Sequence, residues 1–177
     1  MATLVLTVIG NDTSGLVDAL ADPIARHGGS WDRSHMARLA GQFAGIVVVS
    51  VPDDNVTALQ ASLDGLNAQG LLDVQVAIAS SSTTTTEDVA DENVLRLELV
   101  GQDRPGIISE ISAALATQNV SILELETRTS SAPMSGEPLF EAKATLRVPN
   151  ELALGHLRET LEDIANELMV DLDLRPE

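Results

Sequence analysis

The chain has 177 residues, of which 44% are apolar but only 2% aromatic, so its core must be built from aliphatic side chains. A net charge of −17 and the lack of a basic patch argue against direct binding to nucleic acid or to an anionic membrane. Without cysteine there is no thiol catalysis, no cysteine-bound zinc and no disulfide. The sequence shows neither a secretion signal nor a membrane-spanning run, and a cytoplasmic protein is expected.

The first half of the chain alternates strand and helix patterns. Apolar and β-branched runs predict strands at residues 3–9, 31–39, 43–51 and 74–78. Leucine spacing predicts one helix from residue 16 to the glycines after His27, and a second from residue 56 to Gly70. Asp54 or Asn55 is expected to cap the second helix.

The second half repeats this order. Strands are predicted at residues 94–100, 120–129, 139–148 and 170–174, with helices at 107–117 and 154–168. Gly10 and Gly101 are 91 positions apart, and in the same frame Asn119 replaces Gly28 at a helix end. Pro52 and Pro149 stop equivalent strands but are 97 positions apart, so six extra residues are expected in the loop at 130–138.

Two β-α-β-β-α-β units predict an α+β protein with two ferredoxin-like domains, each an antiparallel sheet with helices on one face. The predicted domains are residues 1–79 and 94–177. Residues 80–93 are rich in serine, threonine and acidic side chains that cannot form a core, which predicts a flexible linker.

The open sheet faces are predicted to differ between the two units. In the second unit this face carries polar side chains and is expected to be solvated: Arg96, Glu98, Glu141, Lys143, Thr145 and Arg147. In the first unit, strand residues 4–9 and 46–51 are apolar on both faces, and such strands are usually buried on both sides. That face is therefore expected to pack against the other unit or another chain.

The candidate site lies where each first strand runs into its helix. We name residues 11–16 turn 1 and residues 102–108 turn 2. Amide groups at a helix start lack partners and suit a carboxylate. Pro105 is expected in the first helical turn, and Gly106 is expected to let a backbone or a ligand approach. Asp12 and Asp103 either accept a ligand's ammonium group or cap the helices.

The β-α-β-β-α-β order with Asp103-Arg104-Pro105-Gly106-Ile107 after the first strand resembles the ACT domain, a small regulatory module that binds amino acids. Two such units without a catalytic domain are similar to the glycine cleavage system transcriptional repressor family. Further similarity lies in the stretch Ser30-Trp31-Asp32-Arg33 through Gly41-Gln42-Phe43, in Asn119-Val120-Ser121-Ile122 and in Thr127-Arg128-Thr129.

The resemblance implies an amino-acid pocket at the two turns. Its residues are Asn11, Asp12, Thr13, Ser14, Gly15 and Leu16 in turn 1, and Gln102, Asp103, Arg104, Pro105, Gly106, Ile107 and Ile108 in turn 2. Thr13-Ser14 departs from the Arg-Pro of the motif. The resemblance also suggests glycine as the ligand and a transcription regulator as the protein partner. The chain is further expected to form a homodimer.

The sequence lacks the common motifs of enzymes and metal proteins. No two of His27, His35 and His156 have metal-ligand spacing, and no nucleophile motif or phosphate loop is present, so the chain is predicted to be neither an enzyme nor a cofactor or metal protein. A regulatory subunit that docks on a metabolic enzyme, and a scaffold with vestigial pockets, are the alternatives.

Overall fold

The fold is described from a computed structural model that covers residues 1–79, 93–131 and 136–176. The chain divides into two compact units, Met1–Thr84 and Thr85–Glu177. All of the predicted linker except Asn93 lies outside the described residues, and Asn93 is the first residue of a strand.

Both units have the predicted order of elements. The first unit comprises β1 Ala2–Asn11, α1 Leu16–Arg26, β2 Ser30–Leu39, β3 Gln42–Val51, α2 Val56–Gln69 and β4 Asp73–Ile78, with a short 3-10 helix at Asp53–Asn55. The second comprises β5 Asn93–Gln102, α3 Ile107–Thr117, β6 Ser121–Ser131, β7 Pro138–Val148, α4 Leu154–Leu168 and β8 Val170–Pro176.

Each unit forms one antiparallel four-stranded sheet. The strand orders are β2-β3-β1-β4 and β6-β7-β5-β8, so the first strand of each unit lies inside its sheet. Gly10 pairs with Phe43, and Gly101 pairs with Phe140. Equivalent residues therefore pair in equivalent registers, which confirms the ferredoxin-like fold in both units.

The core of each unit lies between its sheet and its helices. In the first strand of each unit, every second residue points into the core. These inward residues are Leu4, Leu6 and Val8 in β1 and Leu95, Leu97 and Leu99 in β5. They meet the buried stripes of α1 (Leu16, Leu20, Ile24) and α3 (Ile107, Ile111, Leu115). The two hydrophobic clusters share no residue, so each unit has a core of its own.

The open sheet faces differ in a way that the sequence predicted only in part. In the second unit the face is polar, with Arg128 Nε donating to Glu141 over 2.7 Å and Arg175 pairing with Glu98 at 2.9 Å. In the first unit, Ile9 is 46% exposed and Ile46 is 53% exposed. The packing of this face against the other unit or another chain stays a prediction.

The helix ends confirm one prediction and correct another. Gly28 (φ 70°) and Asn119 (φ 57°) both adopt the left-handed conformation after their helices. Asn55 stands at the N-cap position of α2 but forms no capping hydrogen bond. Its side-chain amide instead donates to the His27 carbonyl over 2.9 Å, so the predicted cap at Asp54 or Asn55 is wrong.

The edge strands explain two features of the sequence. β2 has a register shift between Trp31 and Arg33, which breaks the alternation of apolar and polar residues there. A matching shift occurs in β6 between Ile122 and Glu124. β2 and β3 are joined by Ala40 and Gly41, whereas six residues, 132–137, lie between β6 and β7. Four of the six extra residues therefore lie in this connection, and the other two lengthen β6 and β7 by one residue each.

Candidate functional site

Each turn contains a left-handed glycine just before its helix begins. Gly15 has φ 89° and Gly106 has φ 98°, and each is the N-cap residue of the helix that follows. Among the described residues other than its chain neighbours, none has an atom within 4 Å of a Cβ built on Gly15, and only Glu110 Oε1, at 3.6 Å, approaches one built on Gly106. These glycines are needed for their backbone conformation, because L residues with side chains pay a steric penalty there.

The helix starts keep free backbone donors. The Gly15 carbonyl accepts from the Ala19 amide, and the Gly106 carbonyl accepts from the Glu110 amide, each over 2.9 Å. Neither α1 nor α3 has a side-chain cap. The preceding amides, at residues 16–18 and 107–109, therefore face the turns without helical acceptors.

Two expectations about the turns are wrong. Asp12 and Asp103 do not cap the helices, because they lie three residues before the N-cap glycines. Pro105 does not belong to the first helical turn, since α3 begins only at Ile107. Of the two readings proposed for the aspartates, acceptance of a ligand's ammonium group is the one that the structure leaves open.

Turn 1 is tied to the β2–β3 hairpin. The Asp12 carboxylate pairs with Arg38 Nε at 2.6 Å, and the Asp12 amide donates to the Gly41 carbonyl over 3.0 Å. Gln42 Nε2 also donates to Asn11 Oδ1 over 2.8 Å. Asp12 therefore already has a cationic partner within its own unit.

Turn 2 is more open. The Asp103 amide donates to the Pro138 carbonyl over 2.9 Å. The Asp103 carboxylate is exposed and, among residues 93–131 and 136–176, has no cationic partner of the kind that Asp12 has. Arg104 is half-buried, and its Nε is buried without a hydrogen-bond acceptor in the described part of the chain. Turn 2 thus combines free amides, a carboxylate and a guanidinium group.

The predicted site residues divide by burial. The side chains of Leu16 and Ile107 belong to the cores, so only their backbone faces the turns, and Ile108 is half-buried against the second core. Apart from half-buried Arg104, the remaining predicted residues are exposed to solvent: Asn11, Asp12, Thr13, Ser14, Gly15, Gln102, Asp103, Pro105 and Gly106.

Gly10 and Gly101, which directly precede turn 1 and turn 2, have a packing role that the sequence analysis did not predict. A Cβ on Gly10 would lie 2.6 Å from the Leu71 carbonyl oxygen, and one on Gly101 would lie 3.0 Å from Val170 Cα and closer still to its side chain. These positions leave no room for a side chain, because the connection just before β4 packs over Gly10 and the first residue of β8 packs over Gly101. Their recurrence in one frame was the available signal.

A cleft of about 410 Å³ lies beside turn 1 in the first unit, at the end of the sheet where β1, β3 and β4 meet the end of α2. In the second unit a much smaller apolar crevice of about 20 Å³ lies between α3 and β6. Within the described residues there is no group of three or more histidine, cysteine or acidic residues that could hold a metal ion.

Comparison with known families identifies both units. ACT domain models match residues 2–77 and residues 95–166. The chain belongs to the ACT-domain family and carries two ACT domains in tandem.

Several known proteins match this chain over most of its length at low identity. The chain is 20% identical over 165 residues to the glycine cleavage system transcriptional repressor of Escherichia coli K12, covering 93% of this chain and 85% of that protein. An unknown protein from Galdieria sulphuraria is 29% identical with a TM-score of 0.85, covering 99% and 98% of the two chains. A candidate glycine cleavage system transcriptional repressor is 19% identical with a TM-score of 0.73, covering 99% and 97%.

These results define the chain as an ACT-domain regulatory protein with distant similarity to that repressor. None of the helices in the described segments has the length and apolar character needed to cross a bilayer.

Proposed function

We propose that this chain is a non-catalytic cytoplasmic regulator that binds a small amino acid at its strand-to-helix turns and thereby controls a protein partner. Two ACT domains, a regulatory family, and the absence of a catalytic motif in the sequence support this function. The similarity to a glycine cleavage repressor supports glycine as the first ligand to test and a transcription regulator as the partner.

The open geometry of turn 2 is the observation that carries the proposal. Uncapped amides at residues 107–109 suit an amino acid's carboxylate, and the exposed Asp103 carboxylate suits its ammonium group. A zwitterion needs both partners at once, and the turn supplies both within a few residues. Arg104, with its unsatisfied Nε, offers a further donor.

Turn 1 is the weaker of the two proposed pockets. A ligand's ammonium group must compete there with Arg38 for Asp12. Exposed ion pairs of this kind are worth only about 0–1 kcal/mol, so the competition weakens binding without abolishing it. We therefore expect the two turns to have unequal affinities, with turn 2 the tighter.

Calorimetric titration with a panel of amino acids tests the ligand. Asp103→Asn should weaken binding at turn 2 about tenfold, because it removes a charge-assisted hydrogen bond. Asp163→Asn is the matched control, since it removes an exposed charge of the same sign from α4, which contributes no residue to either turn, and should leave the affinity unchanged. The absence of heat with every amino acid at millimolar concentration would contradict the proposal.

The partner is expected to be a DNA-binding regulator, because a chain of net charge −17 is poorly suited to contact DNA itself. Amino-acid binding can shift the affinity for that partner only if the ligand prefers one of two states. Affinity capture from lysate, with and without the ligand, should recover such a regulator in a ligand-dependent amount. Recovery of a metabolic enzyme instead would favour the alternative function, a regulatory subunit that docks on such an enzyme. We also propose that the chain forms a homodimer.

A further inference from the structure

The strand β6 forms an open edge of the second unit. It pairs with β7 on one side, and among the described residues no strand pairs with its other side. Ten of its eleven residues are exposed, and its register shift lies near its start, between Ile122 and Glu124. Residues 124–130 therefore form a regular edge whose outer backbone amides and carbonyls can pair with another strand.

The helix-side face of β6 is apolar and only partly covered. Leu125 is 47% exposed, although its partner in β7, Ala144, is buried. Ile122 is 38% exposed opposite buried Leu146. Both exposed side chains line the apolar crevice beside α3, together with half-buried Ile108. At this edge the sheet is thus wider than the helix layer above it, and the second core is left open.

The helix next to this edge carries little charge. Glu110 is the one charged side chain of α3, whereas the equivalent helix of the first unit, α1, contains Asp18, Asp22 and Arg26. Copies of a chain with net charge −17 repel each other, so they can meet at close range only where like charges stay apart. The α3 side of the β6 edge meets this condition.

We propose that β6 pairs antiparallel with β6 of a second copy, about a two-fold axis at Thr127. This inference rests on the homodimer proposed above and locates its interface. Thr127 is the middle residue of the regular stretch 124–130, so this register pairs the whole stretch with itself. It also places Glu126 of each copy opposite Arg128 of the other. Opposite charges at directly opposed positions stabilise antiparallel strands.

The charges of β6 disfavour the neighbouring registers. An axis at Glu126 would set two carboxylates against each other, and an axis at Arg128 would do the same with two guanidinium groups. Arg128 Nε donates to Glu141 of its own sheet over 2.7 Å. A guanidinium group has five donors, so it can contact Glu141 and Glu126 of the second copy together. The intermolecular pair therefore does not require the existing one to break.

The edge strand of the first unit, β2, lacks this pattern. In the 91-residue frame that relates the two units, the positions equivalent to 126 and 128 hold His35 and Ala37, which are not an oppositely charged pair. Ser34 takes the place of Leu125, so the helix-side face of β2 is less apolar at this point. We therefore expect the second unit, and not the first, to supply the interface.

Charge reversal tests the interface in the full chain. Arg128→Glu and Glu126→Arg each turn both attractive pairs into repulsive ones, and each should weaken the dimer about tenfold in sedimentation equilibrium. An equimolar mixture of the two variants should regain the lost affinity, because a mixed dimer restores both attractive pairs. Mixing changes no contact within a copy, so the recovery reports the intermolecular pairs alone. Ala37→Glu is the matched control in β2 and should leave the affinity unchanged.

A single cysteine reports the register, since the chain has none of its own. Thr127→Cys should form an intermolecular disulfide on mild oxidation, because opposed residues of antiparallel strands have Cα atoms about 4.5–5.5 Å apart. Glu124→Cys should not, since the two copies of that residue would be separated by six positions along the strands, or about 20 Å.

The outcomes separate this interface from the homodimer itself. A dimer that Arg128→Glu does not weaken, a mixture without recovery, or equal cross-linking at positions 124 and 127 would overturn the β6 interface and leave the homodimer to another surface. A wild-type chain that stays monomeric at high micromolar concentration would overturn both. None of these measurements depends on amino-acid binding at turn 2, so that proposal stands or fails separately.

Discussion

At the scale of single residues, two kinds of glycine shape the turns. Gly15 and Gly106 adopt positive φ with open space around them. Gly10 and Gly101 lie in strands, but Gly10 is approached at close range by the connection before β4 and Gly101 by Val170 at the start of β8. A side chain is therefore excluded by backbone conformation at the first pair and by packing at the second.

Gly101→Ala should destabilise the second unit by about 1–3 kcal/mol, the usual cost of forcing a methyl group into a packed site. Its Cβ would meet both the side chain of Val170 and its Cα, so no single rotamer change relieves the overlap. Gly155→Ala is the control, since the residue lies in α4 and, beyond that helix's own backbone, no described residue lies within 4 Å of a Cβ there. That change should stabilise by about 0.5–1 kcal/mol.

Denaturant unfolding followed by circular dichroism measures both changes. A Gly101→Ala variant as stable as the wild type would mean that Val170 does not cross Gly101 in solution.

Sequence reasoning at this scale succeeded where one conformation decided the residue type. Asn119 was expected to replace Gly28 because asparagine is the next most tolerant residue of positive φ, and both adopt it. It failed for the aspartates as caps. A capping side chain must come from the N-cap residue itself, and here that residue is a left-handed glycine without a side chain.

At the scale of elements, strand and helix order followed from periodicity, because alternation and four-residue spacing each reflect burial of one face. β2 showed poor alternation because of its register shift between Trp31 and Arg33, which no pattern of apolar residues encodes. The cleft was beyond prediction for a related reason. The cleft lies where β4 begins to pair with β1, after the three-residue connection 70–72 that follows α2. The equivalent connection in the second unit, Met169, is two residues shorter, and no apolar pattern predicts this difference.

The α2–β4 connection depends on one side chain. Asn67→Ala should destabilise the first unit by about 1–3 kcal/mol, because it removes both hydrogen bonds to the part-buried backbone of Val74. Asn166→Ala is the matched control in the last turn of α4, where the residue is exposed, and its cost should be within about 0.5 kcal/mol. Thermal unfolding compares the two, and equal costs would show that the Asn67 bonds contribute nothing specific.

At the scale of the whole molecule, the chain is one small fold present twice. Each copy has its own cluster of aliphatic side chains, and the two clusters have no residue in common. Small units of this size bury a limited fraction of their surface, so each depends on fully buried leucines such as Leu63 and Leu161. Burial of one such side chain is worth about 1.5–3 kcal/mol.

Separate cores predict separate folding. Residues 1–79 and residues 94–177, produced as two polypeptides, should each give a dispersed NMR spectrum that overlays on the corresponding signals of the full chain. In the full chain, Leu63→Ala should lower the stability of the first unit by about 2–5 kcal/mol and leave amide exchange in the second unit unchanged, while Leu161→Ala should do the reverse. Two results would contradict this prediction: amide exchange that accelerates equally in both units of either variant, or a separate polypeptide that is unfolded. Either result would mean that the two units stabilise each other and that the boundaries proposed from the sequence do not delimit independent domains.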